Sequence, residues 1–143
     1  MIKQVEAFLE HLIKPWEFLA FIQKQFKLAD TFVIEVPNTD EILKTIYKNE
    51  AYSKNHYHSE HLYYFNSKTL RQIVEFANLE VIFDSQMQRY SLANHLGWML
   101  NNKGGGQDIF EFLNDEKMNN NYEKVLVSRQ LADSVFFICK TNN

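Results

Sequence analysis

The run Thr31-Phe32-Val33-Ile34-Glu35-Val36 constrains this chain most strongly. It is β-branched and almost continuously apolar, bounded by Asp30 on one side and by Pro37 and Asn38 on the other. A strand that is apolar on both faces needs cover on both, the situation of parallel sheets flanked by helices. Two further runs, Leu79 to Asp84 and Ser134 to Lys140, are strand-sized and apolar. Helical periodicity fills the space around them. Trp16, Leu19, Ile22, Gln23 and Phe26 predict a helix over about 15–28. Ser67 can cap a helix with inner face Leu70, Ile73, Val74 and Ala77. Leu92 to Leu100, Ile109 to Leu113 and Tyr122 to Leu131 carry helical patterns as well. Val5, Phe8, Leu9 and Leu12 show the same spacing until Pro15 interrupts it. Between Thr39 and Phe65 the pattern weakens to a short helix near Glu41 to Tyr47 and an aromatic-rich loop through His61, a length of loop that is often functional. Strands alternating with helices, without repeat or linker, predict an α/β sheet in one domain spanning residues 1–143.

Composition removes whole classes of function. Lys and Arg number 15 against 18 Asp and Glu, for a formal charge of -3, so nothing attracts nucleic acid or an anionic membrane in general. No apolar run approaches the roughly 20 residues of a membrane-spanning helix. Lys3, Glu6 and Glu10 are unlike the apolar segment of a signal peptide. The one cysteine, Cys139, lies in a strand pattern and suits a reducing compartment. A cytoplasmic, soluble protein is predicted.

Read in order, Phe8-Leu9-Glu10-His11-Leu12-Ile13-Lys14-Pro15, Phe18-Leu19, Phe32-Val33-Ile34-Glu35-Val36-Pro37-Asn38 and Glu60-His61-Leu62-Tyr63-Tyr64-Phe65 with Thr69-Leu70 resemble the second half of bacterial class I S-adenosylmethionine-dependent methyltransferases, of types 11, 12 and 23. Gln88-Arg89-Tyr90, Asn94-His95-Leu96, Trp98 and Gly104-Gly105-Gly106-Gln107 are similar to a subgroup that modifies sugars or small metabolites. The signal is the order and spacing of these elements, since none is specific alone. The resemblance implies the C-terminal half of a Rossmann-like fold, with family strands in the order 5-7-6, flanking helices and an antiparallel last strand. It makes the first residues a remnant of strand four, against their helical spacing. Ala29-Asp30 and Ala77-Asn78-Leu79 depart from the glycine turns usual before strands five and six.

The resemblance also implies S-adenosylmethionine as cofactor, yet the glycine loop and ribose-binding carboxylate that hold it fall in the N-terminal half, outside this chain. No residue here is assigned to cofactor binding. Gly104 to Gly106 follow a helix-like segment instead of a strand, which predicts a flexible surface turn. Glu10 and His11 would end strand four, where open α/β sheets bind ligands, and one of them could orient or deprotonate a methyl acceptor. A packing imidazole and a solvated carboxylate are the plain alternatives. Asn38 could bond substrate or simply form a turn. His61 and Tyr63 are implied to lie over a small-molecule acceptor cleft without metal, although His56, His58, Glu60 and His61 have a spacing that could converge on an ion. His95 and Trp98 read as a packed pair, and Tyr52, Tyr57, Tyr63, Tyr64 and Phe65 suit a pocket or a core. The truncation should leave strand 31–36 poorly covered or at the sheet edge. A homo-oligomer, or a separate N-terminal half, is the expected partner. The alternative is a non-catalytic interaction module that pairs through that edge.

Overall fold

The computed structural model describes residues 2–6, 8–25, 31–57 and 60–141. Its strands are β1 (Ile2–Glu6), β2 (Thr31–Pro37), β3 (Leu79–Met87) and β4 (Ser134–Thr141). Its helices are α1 (Pro15–Gln25), α2 (Ile42–Thr45), α3 (Glu50–His56), α4 (Ser67–Phe76), α5 (Leu92–Asn101), α6 (Gly106–Ile109) and α7 (Glu116–Ser128). Short 3-10 turns stand at Leu9–His11 and Glu111–Leu113. None of the described helices is long and apolar enough to cross a membrane.

The chain packs as two compact units. The first comprises residues 1–38, 60–85 and 135–143, and the second residues 39–59 and 86–134. In the first unit the strands form one sheet in the order β1-β2-β4-β3, with β1 parallel to β2 from Ile2 opposite Thr31 to Glu6 opposite Glu35. The final strand runs antiparallel. This is the α/β arrangement expected, with the last strand, β4, between β2 and β3.

One face of the sheet carries the core. Phe32, Ile34 and Val36 alternate along β2, Val135, Phe137 and Cys139 along β4, and all six are buried against Leu19 and Ile22 of α1 and Leu70 and Val74 of α4. The period of two on the strands and of three to four on the helices brings one stripe of each to a common interior. Burial pushes the Cys139 thiol up to about 12, leaving it a small apolar group. Helix α4 begins one residue before the sequence suggested: Asn66 is the cap, accepting from Thr69 N at 2.9 Å while Thr69 Oγ1 accepts from Asn66 N at 2.9 Å. Asn78, at the turn where the resemblance led one to expect a glycine, adopts a left-handed backbone with φ 59, a conformation asparagine tolerates well. Ala29 and Asp30, and Phe26 of the predicted helix, lie outside the described residues.

One open reading is decided and one expectation is corrected. Residues 2–6 are a strand, as the resemblance implied and against the helical spacing of Val5, Phe8, Leu9 and Leu12. The pairing of β1 with β2 is a long-range contact that no local period encodes. Strand β2 is then interior, hydrogen-bonded to β1 and β4, and not an edge. The five residues of β1 suffice to pair with it.

The second unit is helical, and much of its interior is polar. Ile42, Leu126 and Ala132 form its apolar cluster, with Tyr122, Val127 and Leu131 around them. The glycine run is no loose surface turn. Gly106 is buried, and a Cβ on it would lie 2.0 Å from the Ala93 carbonyl oxygen and 2.9 Å from Gly97 Cα. Helices α5 and α6 touch backbone to backbone there, and Gly105 makes the turn with φ 84.

Candidate functional site

All five residues singled out by the sequence belong to the first unit, beyond the C-terminal ends of the two parallel strands. This is the edge where open α/β sheets bind ligands. After β1 the chain makes its 3-10 turn, pinned by fully buried Leu9 and by Phe8 against Phe18, ring centroids 5.2 Å apart. The segment that begins at Glu60 is then laid along this turn. The Glu10 carbonyl accepts from Leu62 N at 2.8 Å and Tyr63 N at 3.2 Å. Tyr63 donates its hydroxyl to the Ile13 carbonyl at 3.0 Å and packs edge-on to Trp16 at 6.1 Å.

This clamp brings Glu10, His11 and His61 together: one side-chain ligand atom from each lies within 4.8 Å of the others. The His11 and His61 rings are 4.8 Å apart, and His11 Nε2 is 3.9 Å from Glu10 Oε1. His11 Nδ1 lies 2.7 Å from the Glu60 carbonyl oxygen. A carbonyl can only accept, so Nδ1 carries the proton and, in the neutral ring, Nε2 presents its lone pair beside the carboxylate. Glu10 is 2% exposed and the His11 side chain 36%, so the carboxylate forms the floor and the imidazole the mouth. Asn38 is fully buried at the end of β2 and bridges through its backbone to Phe65. Tyr63 stacks on Phe65 and Tyr64 packs edge-on to His61.

The other expected groupings divide differently. His58 lies outside the described residues. His56 belongs to the second unit, where it meets Lys44 Nζ at 3.1 Å and stacks on Tyr52. His61 finds His11 instead, so the histidine group read from spacing does not form around His56. His95 and Trp98 are not each other's main partners: Trp98 packs on Tyr52 at 5.2 Å, and His95 Nδ1 meets Tyr122 Oη at 2.9 Å.

Sequence reasoning missed a buried polar network in the second unit. Asp133 accepts from Arg89 N, Tyr90 N, Gln88 Nε2 and Ser134 Oγ at 2.8 to 3.1 Å, while Gln88 Oε1 accepts from Asp133 N at 3.1 Å. Gln88 Nε2 also points at His95 Nε2 at 3.2 Å, so that nitrogen accepts and the ring is neutral. Burial pushes His95 down to about 4 and raises Asp133. Burial likewise raises Glu41 to about 7, against the pull of the Leu43 N–H, and lowers nearby Lys44 to about 8. The motif residues Gln88, Asn94, His95 and Trp98 line this interior. Only their polarity beside an apolar helix could have pointed to it.

No family model and no curated protein matches the chain. Solved structures do. A SAM-dependent methyltransferase from Archaeoglobus fulgidus aligns with 98% of the chain at TM-score 0.56 and 18% identity, over 58% of its own length. The fold is the one found in methyltransferases. A chain from the complex between the Haloferax volcanii Trm112 methyltransferase activator and a candidate methyltransferase aligns with 99% of it at TM-score 0.60 and 10% identity, over 54% of its own length. The chain thus spans little more than half of these structures.

Proposed function

We propose that this chain supplies the acceptor side of an S-adenosylmethionine-dependent methyltransferase acting on a small molecule or sugar-type acceptor. The observation that carries the reading is the meeting of Glu10, His11 and His61 beyond the C-terminal ends of parallel β1 and β2. The likeness of fold to methyltransferases supports it.

Among the described residues, the glycine run does not fit the cofactor: a cofactor loop needs glycine amides open to a ligand after a strand, whereas Gly106 is filled by the backbone of Ala93 and Gly97. S-adenosylmethionine, when bound, would supply an electrophilic methyl group. The work left to this chain is to hold and deprotonate the acceptor. His11 Nε2, with its partner nitrogen locked on the Glu60 carbonyl, takes the hydroxyl proton, and the Glu10 carboxylate 3.9 Å away stabilises the imidazolium that results. His61 and Tyr64 give the acceptor an aromatic wall.

Calorimetric titration tests the reading. The 143-residue chain alone should bind S-adenosylmethionine and S-adenosylhomocysteine no tighter than about millimolar. Joined to a segment carrying a strand, a Gly-x-Gly loop and a helix, it should bind in the micromolar range. Micromolar binding by the chain alone would overturn the division of labour, and absence of binding in the joined protein would overturn methyl transfer.

A further inference from the structure

We propose that Glu10, His11 and His61 form a site for a divalent first-row transition ion, with Zn2+ the expected occupant. Four observations converge on it.

The first is the donor set. Two imidazoles and one carboxylate, each with a ligand atom within 4.8 Å of the other two, are the set that zinc and iron sites use when they keep open positions. Magnesium and calcium favour all-oxygen surroundings, so the imidazoles select against them. Bound to one ion, the ligand atoms would sit about 3.3 Å apart, given metal–ligand bonds of about 2.0 to 2.1 Å. Closing that gap falls mainly to His61, which is half-exposed, while His11 keeps its bond to the Glu60 carbonyl.

The second is orientation. Metal-bound histidines characteristically donate their other ring N–H to a carbonyl or carboxylate. His11 does so to the Glu60 carbonyl at 2.7 Å, which aims the Nε2 lone pair toward Glu10. The third is rigidity of the frame. Both ligand-bearing segments are tied by the two hydrogen bonds that Leu62 N and Tyr63 N donate to the Glu10 carbonyl. The fourth is burial. The carboxylate is 2% exposed, yet the His11 side chain is 36% exposed, so the site opens on one side only. Two neutral imidazoles and one carboxylate leave a net charge of about +1 on a bound divalent ion, which suits an acceptor hydroxyl or carboxylate oxygen in the open position.

The ion and the proton compete for one atom, His11 Nε2. A bound cation would polarise the acceptor hydroxyl, whose proton would then pass to water instead of to His11. That acceptor role rests on the methyl-transfer reading, whereas ion binding itself does not.

Titration of the full chain with Co2+ tests the site without cofactor or acceptor. One equivalent should bring up a visible d–d absorption that Zn2+ then displaces. His61→Ala and Glu10→Gln should each weaken Co2+ binding by about tenfold or more, and His56→Ala should leave it unchanged. Circular dichroism and thermal melting of each variant separate lost ligation from lost folding, and half-buried His61 is the substitution the fold tolerates better. Unchanged affinity in a folded His61→Ala protein, loss in His56→Ala, or wild-type binding no tighter than about millimolar would overturn the proposal. Those outcomes leave the cofactor titration, and hence the methyl-transfer reading, standing.

Discussion

At the scale of single residues, the second unit holds two buried titratable groups whose effects on stability oppose each other. Burial raises the Glu41 carboxyl from 4.5 to about 7, so the folded chain keeps a proton there that the unfolded chain has already released. Stability from this group is therefore full below about pH 4.5 and falls as pH rises toward 7. His95, lowered from 6.5 to about 4, acts in reverse: the unfolded ring takes a proton that the folded ring refuses, and stability falls as pH drops from 6.5 toward 4. In the shared window the two slopes cancel. Replacing Glu41 by Gln, which keeps an acceptor for Leu43 N, should unmask the histidine slope. The variant should gain on wild type by up to about 1.4 kcal/mol per pH unit between pH 5 and 6.5, read from urea unfolding at several pH values. A difference that does not vary with pH would show that Glu41 is ionised in the folded state. Glycines give a second contrast. Gly106→Ala drives a Cβ into the Ala93 carbonyl, at 2.0 Å, and should cost about 3 kcal/mol or more in chemical denaturation. Gly105→Ala meets nothing within 4 Å and should cost only about 1 kcal/mol, for the left-handed backbone.

At the scale of elements, the five residues of β1 decide more than their number suggests. They give β2 a parallel partner along Thr31 to Glu35 and set where the turn carrying Glu10 and His11 begins. Burial along β2 is correspondingly deep, with Ile34 fully enclosed. Ile34→Ala should cost about 2 to 5 kcal/mol, measured by denaturant unfolding, because a cavity between sheet and helices cannot close without moving a strand. A cost below 1 kcal/mol would place β2 outside the cooperative core. Helix α4 depends more on its start: Asn66→Ala removes the cap accepted from Thr69 N and should cost about 1 kcal/mol by the same measurement.

At the scale of the whole molecule, the two units are stabilised unequally. The first buries a continuous apolar cluster from three strands and two helices. The second has a small apolar cluster and places Glu41, Asn49, Gln86, His95 and Asp133 in its interior. Buried polar groups, even well bonded, contribute less net stability than the same volume of packed hydrocarbon. Native-state hydrogen exchange should therefore show amides of α5 and α7 exchanging through openings of lower free energy than amides of β2 and β4. Equal protection in both units would argue for one cooperative structure.

Local chemistry pointed to strands over 31–36, 79–84 and 134–140 and to the longer helices between them, because an apolar run bounded by turn residues, or a stripe of period 3.6, has few other ways to leave water, but it read as loop the residues of α3, Glu50–His56. It also drew attention to Glu10, His11 and His61, through residue types set where the resemblance put a sheet edge. Only tertiary structure decided between the two readings of residues 2–6, strand against helix, and made β2 an interior strand, since a strand's partner is chosen by pairing across more than two dozen residues and leaves no local signature. Likewise, His61 meets His11 and not His56 because two backbone hydrogen bonds to the Glu10 carbonyl lay one segment on the other. Gly106 is a packed contact and Glu41 a buried acid for a similar reason: both depend on what lies across the fold from them, on α5 for the first and in the polar interior of the second unit for the other.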